Sequence, residues 1–289
     1  MDKSHIVRLP IGLEVDGTVY QEFHIDKMTG VDQKNMASSK HRNNGARAMT
    51  QFLQRVVQKI PGLMESKDGG QFGLAPEKYF RSMYSPDRDL LFLQCNAMSM
   101  NDEFEISAKC PRCGRLHDVT VELDEIEVYE MDDEDPEAST TFLVEGLTDG
   151  ISMMIPSGDG RNERKVFKTV EVELLTGRDQ EAMHSVREAD QQNFMIHAFI
   201  KSVPGAEGIK PSRKHIARMT VEDQQLILEE IAERTPGADL RQEVVCENNE
   251  CQHEWLADID LANFFSARGR TKKKRSLRSK RGVKKRRRR

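Results

Sequence analysis

No apolar run in the sequence approaches the roughly 20 residues that a bilayer-spanning helix needs, so an ordinary transmembrane helix is excluded. The opening residues, MDKSHIVRLP, lack an uninterrupted apolar core and a small-residue cleavage site, and the expectation is a chain that is not exported. Cysteine is scarce. Five unevenly spaced thiols are too few for a disulfide scaffold, and in a reducing compartment they stay free or bind metal. Catalytic signatures are missing as well: there is no nucleophile elbow, no His-Glu-x-x-His and no dinucleotide fingerprint. The stretch PSGDGRNERK has glycines and basic residues but no Gly-Lys-Ser/Thr, and it reads as a hairpin tip. His41 and His184 stand in polar surroundings and are expected at the surface, so the chain reads as non-enzymatic.

What is present begins with bulk and charge. The chain has 289 residues, 37% of them hydrophobic and 32% charged, enough for one large or two ordinary domains with a real core. Its net charge of -4 conceals a division. The segment 268–289, RGRTKKKRSLRSKRGVKKRRRR, holds 15 Lys and Arg and no acid, leaving 29 basic and 48 acidic side chains in the body. Such a run stays disordered unless an anionic partner receives it. Nucleic-acid backbone is one candidate partner, contacted by Lys272, Lys273, Lys274, Arg275, Lys284, Lys285, Arg286, Arg287, Arg288 and Arg289. With no aromatic residue in the tail, that binding would ignore base sequence. The other candidate is the chain's own acidic stretch near Asp132 to Asp135.

The body is written twice. Leu90, Cys110, His117 and Asp124 return as Leu226, Cys246, His253 and Asp260, all at one constant offset. Thr29, Gly30, Asp32, Gln33 and Met36 return as Thr176, Gly177, Asp179, Gln180 and Met183, again at a single offset of their own. DRDLLFL from Asp87 answers DQQLILE from Asp223, both helical in apolar spacing after Ser85 and Thr220. FLQRVVQKIPG from Phe52 answers FMIHAFIKSVPG from Phe194, each read as an amphipathic helix stopped by Pro-Gly. Each copy starts with a hairpin, one turning at Asp16-Gly17 and the other around Asp159-Gly160. The expectation is an α+β fold made by tandem duplication. Its parts are a first repeat over 1–130, an acidic linker over 131–146, a second repeat over 147–267 and a disordered basic tail over 268–289. The stretch ELDEIEVYEMDDEDPE, with 10 acids and no base, leads into and through that linker.

Cysteine spacing carries the chemistry. Cys110-Pro-Arg-Cys113 is a knuckle, and Gly114 after it suits a positive φ. A knuckle supplies two of the four ligands of a tetrahedral zinc, and Cys246 with Cys251 supplies the other two. The preferred site is one structural zinc on Cys110, Cys113, Cys246 and Cys251, the two knuckles meeting as in a zinc ribbon. A rival arrangement puts one metal in each repeat, with His117 or His253 as third ligand. For both histidines a polar strand-edge role is favoured. A thioredoxin-like use of Cys110 and Cys113 leaves the second pair unexplained. Cys95 reads as a small buried hydrophobe and Phe264 with Phe265 as packing under the ribbon.

The stretches LPIGLEVDG, VYQEFHIDKMTGVD, DRDLLFLQCNAMSMNDEFEISAKCPRCGRLHDVTVELDEIEV and CENNECQHEWLADIDLANFF resemble the zinc-ribbon baseplate hub and tail-assembly proteins of contractile-tailed bacteriophages. The resemblance spans about 1–267, and the basic tail departs from its pattern. It implies a non-enzymatic protein, made in the host bacterial cytoplasm, that helps build the baseplate hub or remains in the virion. Other baseplate or tail proteins are the partners it implies, and the four cysteines are the only residues it carries over, as zinc ligands.

Overall fold

The computed structural model describes residues 5–36, 44–64, 74–99, 103–122, 126–131, 140–158, 160–259 and 261. His41, Asp124, Asp132 to Asp135, Asp260, Phe264, Phe265 and the whole tail, with its Lys and Arg candidates, lie outside the described residues.

The chain is α+β. It opens with the hairpin β1 (His5–Val15) and β2 (Thr18–Ile25), joined through Asp16 and Gly17. Both turn residues have positive φ, 50° and 77°, as the tight turn that matches strand twist requires. Helix α1 (Gly30–Met36) follows, and the Thr29 backbone N–H donates to Asp32 Oδ2 at 2.8 Å. Helix α2 (Gly45–Val56) is capped by Asn44, whose Oδ1 accepts from the Arg47 N–H at 2.9 Å.

Here the helix predicted to run into Pro61-Gly62 stops early. Val57–Lys59 is strand β3, pairing with β2. The same correction applies downstream, where α6 (Gln191–Phe199) gives way to strand β11 (Ile200–Ser202). In both places a β-branched residue, Val57 or Ile200, is fully buried and completes a sheet edge whose N–H and C=O groups would otherwise lack partners. The Pro-Gly pair turns the chain after the strand rather than ending the helix.

Helices α3 (Glu77–Ser82) and α4 (Ser85–Ser99) lead to a second hairpin, β4 (Glu103–Lys109) and β5 (Leu116–Glu122). After β6 (Val128–Tyr129) come β7 (Thr141–Val144), the hairpin β8 (Ile151–Pro156) and β9 (Asn162–Phe167), and β10 (Val170–Glu173). The second predicted hairpin therefore ends at Phe167, and Val170–Glu173 pairs with β7 and β11 instead of continuing along β8. Helix α5 (Gly177–Met183) precedes α6. Then α7 (Arg213–Ile216), α8 (Val221–Arg234), β12 (Gly237–Ala238), β13 (Arg241–Val245) and β14 (Glu254–Asp258) close the described chain.

Two three-stranded sheets, β1-β2-β3 and β7-β10-β11, carry the same pairing. Val7 faces Phe23 and Val144 faces Val170, while Ile25 pairs Val57 and Val172 pairs Ile200. The register slips at His24/Ile25 in one and at Glu171/Val172 in the other. Each sheet is pinned by a buried aspartate from the first turn of a helix. Asp87 accepts the Ile11 and Gly12 N–H groups at 3.3 and 2.6 Å, where β1 bulges. Asp223 accepts those of Thr148, Asp149 and Gly150 at 2.5, 3.1 and 2.7 Å, between β7 and β8.

Two hydrophobic cores result, and they exchange side chains. The core built on β1–β3 and α2–α4 takes in Ile259 and Leu261, and the core built on β7, β8, β10 and α6–α8 takes in Ile11. Between them runs a polar seam. Arg88 is fully buried and donates to Gln180 Oε1 (2.7 Å), Ala46 O (3.0 Å) and Thr50 Oγ1 (2.8 Å). Thr50 in turn donates to Glu181 Oε1 at 2.7 Å, and Arg81 Nε lies 3.1 Å from Glu181 Oε2. Burial pulls the Arg88 pKa down to about 10, so the guanidinium stays cationic at neutral pH.

Candidate metal centre

The two thiol pairs sit at the tips of two hairpins. Cys110 follows β4 and Cys113 precedes β5; Cys246 follows β13 and Cys251 precedes β14. Each tip is closed by backbone bonds. The Cys110 N–H donates to Arg115 O (2.8 Å) and the Gly114 N–H to Cys110 O (2.9 Å). At the other tip the Cys246 N–H donates to His253 O (2.9 Å) and the Cys251 N–H to Asn248 O (2.8 Å). The residue after the second cysteine has positive φ in both, Gly114 at 73° and Gln252 at 44°. The wider spacing of the second tip thus leaves its final turn unchanged.

The hairpins pack with their inner faces together. Ala108 from β4, Val119 from β5, and Val244, Trp255 and Ala257 from β13 and β14 form a small apolar cluster behind the tips. This brings the four cysteines to one point, although the two pairs are far apart along the chain. Cys110 Sγ is 3.9 Å from Cys251 Sγ, and Cys113 Sγ is 3.6 Å from Cys246 Sγ. All four sulfurs lie within 4.8 Å of one another. No disulfide joins them. Four thiolates about 2.3 Å from one metal stand about 3.8 Å apart at tetrahedral angles, so the donor set and its spacing fit a single metal ion.

Electrostatics differ across the cluster. Cys113 is exposed, and the Arg115 backbone N–H holds its pKa down at about 7. Cys246 is buried, which pushes its thiol up to about 12. Metal binding therefore has to displace protons from the buried sulfur, and with four thiolates bound no coordination position is left for water.

Two sequence expectations change here, those for His117 and His184. His117 is not a polar residue at a strand edge. It lies on the inner face of β5, only 4% exposed, with Nε2 3.4 Å from Cys246 Sγ. Its place in phase with Val119 and Val121 along β5 was the available signal. His253 is half-buried, its ring stacked on Trp255 with centroids 6.2 Å apart. His184 is half-buried after α5 instead of exposed. Cys95 is buried as expected, and its Sγ contacts Asp26 O at 3.4 Å.

Fold and site together define an α+β protein with a four-cysteine cluster between two β-hairpins, and no helix among the described residues is long and apolar enough to cross a membrane. The chain belongs to the T4 bacteriophage base plate protein family, whose sequence model matches residues 14–266. Membership makes it a structural protein of a phage baseplate, working beside other tail proteins. No curated protein and no solved structure matches the chain significantly.

Proposed function

We propose that this baseplate protein is a non-enzymatic docking module of the hub region, made of two related halves joined at one structural zinc. The observation that carries the reading is the convergence of Cys110, Cys113, Cys246 and Cys251 within 4.8 Å. When bound, zinc supplies a tetrahedral cross-link between distant segments and with it folding free energy. The rival arrangement, one metal on each side with a histidine, is disfavoured by sulfurs that already stand at tetrahedral spacing across the two hairpins.

Tandem duplication, expected as halves at 1–130 and 147–267 around a linker at 131–146, is supported by the matched registers of β1-β2-β3 and β7-β10-β11, with one change of bounds: β7 (Thr141–Val144) belongs to the second sheet and core, so the second half starts at β7 and not at 147. The twin anchors Asp87 and Asp223, which occupy equivalent places at the start of α4 and α8, support it too. The segment 268–289 is a basic appendage to this body. Its charge favours a second reading, a nucleic-acid grip.

The test is a chain ending at Ser266. Retained binding to baseplate proteins with lost DNA retardation supports docking, with the basic segment as an accessory. Loss of every interaction favours the nucleic-acid reading. Mass spectrometry of purified particles then separates a hub component, present at a few copies, from an assembly factor that is absent.

A further inference from the structure

We propose that His117 holds the Cys246 thiolate in the metal centre by donating a hydrogen bond from Nε2–H to Sγ. The inference rests on the proposal that the four cysteines bind one metal, and it assigns the histidine a positioning role outside the ligand set.

Among the described residues His117 is the only buried histidine, and its side chain is the only one other than the thiols at hydrogen-bond distance from any of the four sulfurs. Its Nε2 lies 3.4 Å from Cys246 Sγ, a length suited to an N–H···S bond, while Nδ1 is buried with no partner among the described residues. A neutral imidazole carries one proton, so two tautomers compete. With the proton on Nδ1, a buried donor goes unmade and the Nε2 lone pair faces the electron-rich sulfur. With the proton on Nε2, the donor meets a thiolate that has no proton of its own to give. Only the second tautomer makes the bond, and an N–H to an anion is stronger than one to a neutral acceptor.

The ring is also held in plane. Trp255 packs against it at 5.6 Å between centroids with the planes tilted by 59°, and His253 stacks on Trp255 as well. His117 and His253 stand at matching places after their knuckles, yet only His117 turns toward sulfur. The arrangement is thus one-sided: one cysteine of the four receives a side-chain donor.

Outer donors of this kind are worth about 10- to 100-fold in metal affinity. The experiment uses the full chain loaded with zinc. Long-range proton–nitrogen correlation on His117 is expected to show Nε2 protonated and Nδ1 bare. Zinc competition against a chromophoric chelator should show His117→Phe weaker by about 10- to 100-fold, with one metal per chain retained. His117→Gln, which keeps an N–H donor, should recover part of the loss. Cobalt-substituted wild type and His117→Phe should share the bands of a four-thiolate site. Protonation at Nδ1 in the loaded wild type, or unchanged affinity in folded His117→Phe, overturns the proposal. Cobalt bands that change to another ligand set also overturn it, by making the imidazole itself a ligand. A wild-type chain that takes up no metal sinks the metal reading first and this inference with it, which separates the two failures.

Discussion

Gly177→Ala should destabilise the protein although it lies in a helix, where Ala normally beats Gly by about 1 kcal/mol. Gly177 opens α5 against the buried seam, its N–H donating to Met83 O at 3.0 Å. A Cβ there would overlap Arg88 Nη1 and lie 2.5 Å from both Arg88 Cζ and Phe80 O. Because Phe80 O is backbone and cannot swing aside, the start of α5 has to shift away from α3, and Arg88 has to move as well. Moving it disrupts bonds to Gln180, Ala46 and Thr50, each worth about 1.5–3 kcal/mol to a charged group, and leaves a buried cation poorly paired. Breaking a buried charged partnership costs about 3–5 kcal/mol, which outweighs the propensity gain and leaves a net loss of about 2–4 kcal/mol. Gly30 is the control. It opens α1 in the matching position, and a Cβ there meets nothing within 4 Å. Gly30→Ala should be neutral or stabilising by up to about 1 kcal/mol. Urea denaturation of the two variants reads the difference, and shifts of the same sign in both would refute the account of the seam.

Asp87 gives a pH signature. Burial raises its pKa to about 6 in the folded chain, above about 3.9 when unfolded, so the folded state holds the proton more tightly between those values. Its contribution should make stability fall as pH rises from about 4 to about 6, by up to about 3 kcal/mol, and change little above. Subtracting the Asp87→Asn profile from wild type isolates it, and a flat difference contradicts the assignment. Asp223→Ala strips the acceptor from three backbone N–H groups and should cost about 2–5 kcal/mol in urea denaturation, with Asp223→Asn intermediate because it keeps one acceptor oxygen. If Asp223→Ala is as stable as wild type, the carboxylate is not what pins the β7–β8 connection.

How much could be read beforehand depended on whether a feature is local. The Asp16-Gly17 turn, the helix starts at Ser85 and Thr220 and the positive φ of Gly114 each follow from residues next to one another. The four-cysteine cluster was legible because the first thiol of each pair, Cys110 and Cys246, shares an offset with the helices before them. What stayed hidden needed a partner far along the chain. Val57 and Ile200 leave their helices for strands because β2 and β10 present open edges there. Arg88 looks like the charged face of an amphipathic helix until Ala46, Thr50 and Gln180 close around it. One hint existed: at the matching place in the second half, Gln224 is also polar, also follows a buried aspartate, and is also buried.

Metal content per chain tests the central claim most directly. Native mass spectrometry or elemental analysis of the full chain should find one zinc, and none in Cys110→Ser or in Cys246→Ser, since each removes a ligand from a different hairpin of one site. Thermal stability should fall with the metal. Two zincs in wild type, or zinc retained at full occupancy after either substitution, would contradict a shared centre.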